Sequence, residues 1–350
     1  MSGGVDSSVA AWLLKQQGYH VIGVTMQIWQ EEPEELQQEN GGCCGLQAVE
    51  DARQVAEKLS IPYYVINFRQ VFKKQVMDYF AEEYCRGRTP NPCIACNRYV
   101  KWEALLSRSL ELGADFIATG HYAKVKKRSN GRYTLGVSAS ADKDQTYALY
   151  RLTQEQLSRT LMPLGDYSKD EVRRIAEDIG LSVAKKPDSQ EICFIPDHRY
   201  AEFIQQYTKK EIPSGNFVDG EGRILGRHKG ITHYTIGQRR GLGLAAGRRI
   251  FVKEIRPESN EVVIGEGDEV FSSVLICNQI NWMGFCGLDG REVEVTAKIR
   301  YSHKGEQCII RQTGEDIVEC KFLHPVRAAT PGQAVVFYSD NFVAGGGTIC

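Results

Sequence analysis

The chain has 350 residues, enough for two or three domains with a sizeable core, and a formal net charge of −1. Its 42% hydrophobic and 25% charged residues are those of a globular protein, and no uninterrupted apolar stretch could span a bilayer. No membrane partner and a cytoplasmic location are therefore expected, and a uniformly basic nucleic-acid coat is excluded.

The first element is the loop Ser2-Gly3-Gly4-Val5-Asp6-Ser7-Ser8, which opens onto an apolar helical run (Val9, Ala10, Trp12, Leu13, Leu14). Two glycines let backbone approach an anion, hydroxyl and N–H groups donate to phosphate oxygens, and an aspartate can help hold Mg²⁺. No Lys follows the second Gly, so this is not a Walker A loop. The stretch resembles the pyrophosphate loop of ATP pyrophosphatases. Only Met1 precedes it, where a buried strand is expected, so the natural chain is expected to begin upstream.

A βα rhythm follows: a strand at His20–Met26, a helix at Leu46–Leu59, a strand at Tyr63–Asn67, helices at Val71–Tyr84 and Tyr99–Leu112, and a strand at Phe116–Gly120. It predicts a doubly wound parallel sheet with helices on both faces and a ligand beyond the strand ends. Polar, Gly-rich 30–45 reads as a mobile loop. Lys124–Val137 reads as a hairpin turning at Asn130-Gly131. Helices are expected at Gln145–Tyr150, at Lys169–Ile179 ending at Gly180, and at Arg199–Tyr207. From about Ser214 short alternating strands take over, at Ile250–Ile255, Glu261–Ile264, Glu292–Ile299, Gln307–Gln312 and Ala334–Tyr338. The expected division is an α/β domain over 1–210, a small linker domain over 211–270 and a β-barrel over 271–350.

Charge is concentrated where the net value hides it. From Arg223 to Arg256 there are nine Lys and Arg residues against Glu254 alone, and a shorter run spans Lys124 to Arg132. Such runs are solvated faces or polyanion sites.

Eleven cysteines without secreted-type spacing point to catalysis, metal binding or burial. Cys93-Ile94-Ala95-Cys96 lies in an Asn- and Pro-rich segment expected to be an ordered loop, with Arg86, Arg88, Arg98 and Lys101 nearby to favour thiolates. Half of a zinc site with Cys43 and Cys44 is the alternative. Cys193 is read either as core or as a mobile thiol where the charged loop Lys185–Ser189 enters a strand. Cys277, Cys286, Cys308, Cys320 and Cys350 read as core or incidental.

The loop Ser2–Ser8, Thr119-Gly120-His121-Tyr122, Lys143-Asp144-Gln145, Asp188–Phe194, Thr235–Gly243, Arg300-Tyr301 and Thr330–Gln333 occur in this order. Together they resemble the tRNA-specific 2-thiouridylases (MnmA/TrmU family), over essentially the whole chain. The resemblance implies ATP-dependent adenylation of the C2 oxygen of the wobble uridine, followed by sulfur transfer from a cysteine persulfide. It implies Cys96 as nucleophile and Cys193 as persulfide carrier, a pair able to form a disulfide. It places ATP at Met1, Ser2, Gly3, Gly4, Val5, Asp6, Ser7, Met26 and Gly120. It places tRNA at Asn91, Pro92, Cys93, His121, Lys143, Asp144, Gln145, Arg300, Tyr301 and Gln333. ATP, Mg²⁺, tRNA and a sulfur donor such as a cysteine desulfurase or relay protein are the implied cofactors and partners. One departure matters: many relatives have Asp-x-x-Cys where this chain has Cys93-x-x-Cys96. Cys93, Cys96 and Cys193 could then ligate an iron–sulfur cluster. That route, and another ATP-pyrophosphatase-type synthetase, stand as the alternatives.

Overall fold

Short amphipathic and apolar segments, each too small to bury its own face, assemble here into two compact units. The computed structural model describes residues 1–28, 46–187, 192–195, 197–245 and 247–350. One unit comprises Met1–Met77, Cys93–His198 and Asp340–Val343; the other comprises Asp78–Pro92, Arg199–Ser339 and Ala344–Cys350. The expected loop at 30–45 and the Cys43–Cys44 pair lie outside the described residues, as do Asp188–Glu191.

In the first unit, helix α1 (Val5–Gln16) starts directly after the Gly-Gly pair, and buries Val5, Val9, Ala10 and Leu13. Its partners in that core include Val172 and Ala176 of helix Lys169–Asp178. That helix begins with a reciprocal capping box between Ser168 and Glu171, which satisfies two end groups and fixes Lys169 at its first position. Strands β1 (Gly23–Gln27) and β2 (Tyr63–Asn67) pair in parallel, with Met26 opposite Ile66. Helix α2 (Leu46–Lys58) buries Ala48, Ala52, Val55 and Ala56. Strand β3 (Ile117–Ala118) pairs in parallel with β6 (Thr160–Leu161), so the parallel pairing among the described residues of this unit comes as two two-stranded pieces. The predicted hairpin is present as β4 (Lys124–Lys127) and β5 (Tyr133–Gly136).

Two expectations are corrected. Residues 91–97 are not a loop: Pro92–Ala95 is helical, and helical turns continue through Cys96–Leu105 and Leu106–Glu111. Proline suits the first helical position, where its missing N–H is not needed. Cys193 does not enter a strand: residues 192–195 form a turn closed by Ile195 N donating to the Ile192 carbonyl at 2.9 Å.

In the second unit a four-stranded sheet has the order β8-β7-β10-β9. The strands are β7 (Gly215–Val218), β8 (Ile224–His228), β9 (Ile250–Arg256) and β10 (Glu261–Glu266). Phe217, Val252, Val262 and Ile264 share its core with Tyr234 and Leu242. Then come β11 (Phe271–Trp282), β12 (Val293–Lys298), β13 (Glu306–Gly314), β14 (Ile317–Arg327), β15 (Ala334–Ser339) and β16 (Phe342–Ile349). They pair in the order β11-β14-β13-β12-β15-β16, and β16 pairs back onto β11, closing a six-stranded barrel. Its interior holds Leu275, Val295, Ile310, Val318, Val335 and Phe337, together with Cys277, Cys308 and Cys320. Cys277 and Cys308, with burial, raise the Cys320 thiol pKa well above the usual thiol range.

Candidate active site

The loop of residues 2–8 is held from three sides within the first unit. Gly3 has φ +66°, and a Cβ there would lie 2.3 Å from the Ala48 carbonyl oxygen of α2. A side chain would therefore be excluded twice, by backbone conformation and by contact. Gly120, just beyond β3, abuts the loop so closely that a Cβ would sit 2.7 Å from the Asp6 carbonyl carbon and Ser7 nitrogen. Ser7 Oγ accepts from Ser2 N at 3.1 Å and donates to the Gly4 carbonyl at 3.2 Å. Gly4 gives α1 no side-chain cap, so the first N–H groups of the helix face the position where a phosphate is stabilised by the dipole. Met1 and Met26 adjoin this loop: the Met1 carbonyl accepts from Thr25 Oγ1 at 2.7 Å, one residue before Met26.

Two lysines that carry no sequence motif complete the cradle. Lys169 Nζ donates to both Asp6 carboxylate oxygens, at 2.8 and 2.9 Å, and Tyr122 OH donates to Oδ1 at 2.8 Å. Lys186 Nζ donates to the Gly3 carbonyl at 3.0 Å and pairs with Asp51 at 2.7 Å. Lys169 is only 9% exposed. A buried ammonium is unfavourable unless paired, so the Asp6–Lys169 contact is the device that keeps both charges beside the loop. The signal that could have revealed Lys169 is its place directly after the Ser168 cap, which sets it at a helix start.

The helical segment that begins at Pro92 presents the C-x-x-C. Cys93 is exposed and Cys96 half-buried. Asn97 Nδ2 donates to the Ala148 carbonyl at 3.0 Å, and Lys101 Nζ donates to Asn97 Oδ1 at 2.8 Å. Trp102 Nε1 donates to Thr160 Oγ1 at 2.7 Å. These bonds fix the rotation of the helix carrying Cys96. Three of the four nearby cations expected to favour thiolates are engaged by carboxylates: Arg98 by Glu103 at 3.2 Å, and Arg86 and Arg88 by Glu83 at 3.3 and 2.8 Å. Cys193 is exposed in its turn while Phe194 and Ile195 are buried. Phe194 packs edge-on against Phe72 at 5.6 Å between ring centroids. The apolar flanks that read as core thus anchor the turn and leave the thiol outside.

Of the residues implied to meet tRNA, His121 Nδ1 lies 2.8 Å from Thr119 Oγ1 and Nε2 3.5 Å from Lys101 Nζ. Burial, then the Lys101 ammonium, pushes its pKa well below the ordinary imidazole value, so the ring is neutral near pH 7. Gln145 exchanges hydrogen bonds with Tyr122: its Oε1 accepts from Tyr122 N at 2.9 Å, and its N donates to the Tyr122 carbonyl at 3.0 Å. Asp144 stands beside it. It is buried and accepts from Ser138 N and Thr146 Oγ1, so it shapes this loop. Lys143, beside it, is half-buried.

In the second unit, Arg300 Nη1 donates to the Arg327 carbonyl at 2.8 Å, and Tyr301 is exposed. Gln333 Nε2 donates to the Thr89 carbonyl at 2.8 Å, and Thr89 N donates to the Pro331 carbonyl at 2.9 Å. The Pro331–Gln333 turn therefore clasps the strap that leads to Asn91 and Pro92.

Cys93, Cys96 and Cys193 do not form a metal-holding group: among the described residues no three Cys, His, Asp or Glu side chains gather to do so.

A Gly-rich phosphate cradle at the start of a helix, on a parallel α/β unit and with exposed cysteines on separate segments, defines a nucleotide-binding enzyme of the ATP-pyrophosphatase type. Family models agree with that architecture over the whole chain. A tRNA methyl transferase HUP domain matches residues 1–197, a tRNA methyl transferase PRC-barrel domain 201–266, and an aminomethyltransferase β-barrel domain 272–349. A tRNA-specific 2-thiouridylase MnmA from Lachnoclostridium phytofermentans is 64% identical over 100% of this chain and 98% of its own. One from Clostridium perfringens is 55% identical over 100% and 96%. The chain belongs to the tRNA-specific 2-thiouridylase family. Among solved structures, the U34-tRNA thiolase NcsA from Methanococcus maripaludis with its [4Fe-4S] cluster aligns over 59% of this chain and 64% of its own. The TM-score is 0.34 at 19% identity, a likeness that carries nothing about the site.

Proposed function

We propose that this chain catalyses ATP-dependent 2-thiolation of the wobble uridine of tRNA. The observation that carries the reading is the loop of residues 2–8, clasped by α2, Gly120, Lys169 and Lys186 and opening at an uncapped helix start. Its physical use is to hold a triphosphate and the leaving pyrophosphate. Methyl transfer, the label on two of the matching models, gives such a loop no work.

The chemistry divides one hard substitution into two easier ones. The uridine C2 oxygen attacks the ATP α-phosphorus and pyrophosphate leaves. The terminal sulfur of a Cys193 persulfide then attacks C2, and AMP leaves with the original oxygen. Cys96 thiolate attacks Cys193 Sγ, the S–S bond breaks toward the uridine, and 2-thiouridine departs as a Cys96–Cys193 disulfide forms. A thiol reductant and a sulfur donor, such as a cysteine desulfurase or relay protein, restore the persulfide. Asp6 is the loop's carboxylate and would hold Mg²⁺ with the phosphates, as such sites need one or two carboxylates. Lys169 would then turn from Asp6 to phosphate oxygens.

In this reading Cys93, His121 and Lys143 of the first unit and Asn91, Pro92, Arg300 and Tyr301 of the second contact tRNA, with Asp144, Gln145 and Gln333 holding the loops that carry them. The division into 1–210, 211–270 and 271–350 and a cytoplasmic site of action belong to the same proposal; no helix among the described residues is long and apolar enough to cross a membrane.

The test is incubation with unmodified tRNA, Mg²⁺–ATP and a sulfur source, followed by mass spectrometry of nucleosides and a pyrophosphate assay. tRNA-dependent pyrophosphate release together with 2-thiouridine is expected. Pyrophosphate release with an amine or carboxylate substrate, without sulfur in tRNA, would replace the reading with that of another synthetase.

A further inference from the structure

We propose that the second unit carries a phosphodiester-binding cleft, built by Arg239 and Arg249, that takes the backbone of the tRNA. The proposal rests on the reading of the chain as a tRNA-modifying enzyme and assigns it a binding site. A cleft of about 460 Å³ is lined by Arg239, Arg248 and Arg249 together with Leu244 and Ile250. Among the described residues no aromatic ring lines it, so they offer no platform for a stacked base and fit backbone better than a free nucleotide.

The motif Thr235–Gly243 gains a use in this way. Gly237 N donates to the Val252 carbonyl at 2.8 Å, and Val252 N donates to the Gln238 carbonyl at 2.9 Å. Gln238 Oε1 accepts from Thr235 N, and its Nε2 donates to the Arg240 carbonyl, both at 3.0 Å. The residues on either side of Arg239 are thus pinned to β9 and to each other, and its guanidinium starts from a fixed backbone. Of the three arginines only Arg248 meets a carboxylate among the described residues, Glu266 at 2.6 Å. Arg239 and Arg249 are exposed and line the cleft without a carboxylate to neutralise them there. Guanidinium forks suit phosphate oxygens bidentately, and such contacts carry no sequence information.

The test uses the full chain. The Arg239→Gln/Arg249→Gln double variant is compared with the unaltered protein for tRNA affinity across a series of KCl concentrations. The slope of log K against log salt is expected to become shallower by about 0.7–0.9 for each phosphate that the variant no longer neutralises. The weakening should be the same for cognate and non-cognate tRNAs, with the KM for ATP unchanged. A second variant, Glu266→Gln, frees Arg248 and is expected to steepen the slope and tighten binding; it carries the test alone should the double variant not fold. An unchanged slope, a weakening confined to one tRNA, or a raised KM for ATP in place of weaker tRNA binding overturns the cleft. If the unaltered protein itself neither binds nor thiolates tRNA, it is the functional reading that fails, and the two failures are told apart by that control.

Discussion

The phosphate cradle and the C-terminal barrel solve opposite problems. The barrel is held by antiparallel ladders around an apolar interior, so each position is fixed by many small interactions. The cradle is held by a few strong polar ones: two lysines, two carboxylates, a tyrosine hydroxyl and two glycines whose missing side chains leave room. A region with redundant interactions tolerates the removal of any one in proportion to its size. A sparsely held region stops functioning when one is removed, often with little change in overall stability. The contrast also shows where chemistry can live, because charged groups that must exchange partners cannot be locked into a ladder.

The sharpest test of that contrast lies at the thiols. Cys96→Ser and Cys193→Ser should each abolish 2-thiouridine formation while ATP binding stays within about twofold, since a serine hydroxyl is hardly ionised at neutral pH and carries no transferable sulfur. Nucleoside mass spectrometry beside nucleotide titration reads both; thiolation surviving in either variant breaks the assignment. Next in size is the barrel. Phe337 is fully buried, and Phe337→Ala should cost about 3–5 kcal/mol through the cavity it leaves, read as a lower denaturant midpoint. Below the unfolding transition its rate of pyrophosphate release should be unchanged.

Lys169→Met should do the reverse. Removing one preorganised charge from the phosphates is expected to slow tRNA-dependent pyrophosphate release by about 10²–10³-fold, with tRNA affinity unchanged in a filter-binding assay. A variant as active as the parent would reduce Lys169 to a structural partner of Asp6. The smallest effect belongs to Gln333→Ala, which deletes one hydrogen bond to the Thr89 carbonyl and should cost about 1 kcal/mol. A drop in thiolation larger than that stability change would show that the strap before Pro92 matters to the reaction.

Much of this was legible in the chain, and the reasons for the rest are physical. The loop of residues 2–8 could be read because glycine and serine before an apolar helix have few other uses. Lys186 could not, because nothing local distinguishes a lysine that folds back onto the start of the chain from one that meets water, and Lys169 was marked only by its place after the Ser168 cap. The Asn91–Asn97 segment misled because proline reads as a breaker in isolation yet is favourable at a helix start. Three barrel strands escaped the alternation pattern for separate reasons. β11 mixes polar and apolar residues and shifts register between Asn278 and Asn281. β14 carries Pro325 within its span. β16 contains Gly345-Gly346-Gly347, which reads as a turn, yet a Cβ on Gly345 would lie 2.7 Å from the Trp282 ring and the Asn281 carbonyl oxygen. Those glycines let the barrel seam close, a long-range requirement invisible in a local window.

The three thiols inside the barrel also make it its own reporter. Cys277, Cys308 and Cys320 are buried in a closed cylinder, whereas Cys93, Cys193, Cys286 and Cys350 are exposed. A water-soluble alkylating probe will therefore label the exposed group at once and the interior trio only when the barrel opens. The rate at which that second wave of label arrives gives the opening frequency of one part of the molecule, with no introduced fluorophore and no interference from sulfur transfer. It also places an upper time limit on any thiol titration meant to count reactive sites in the folded enzyme.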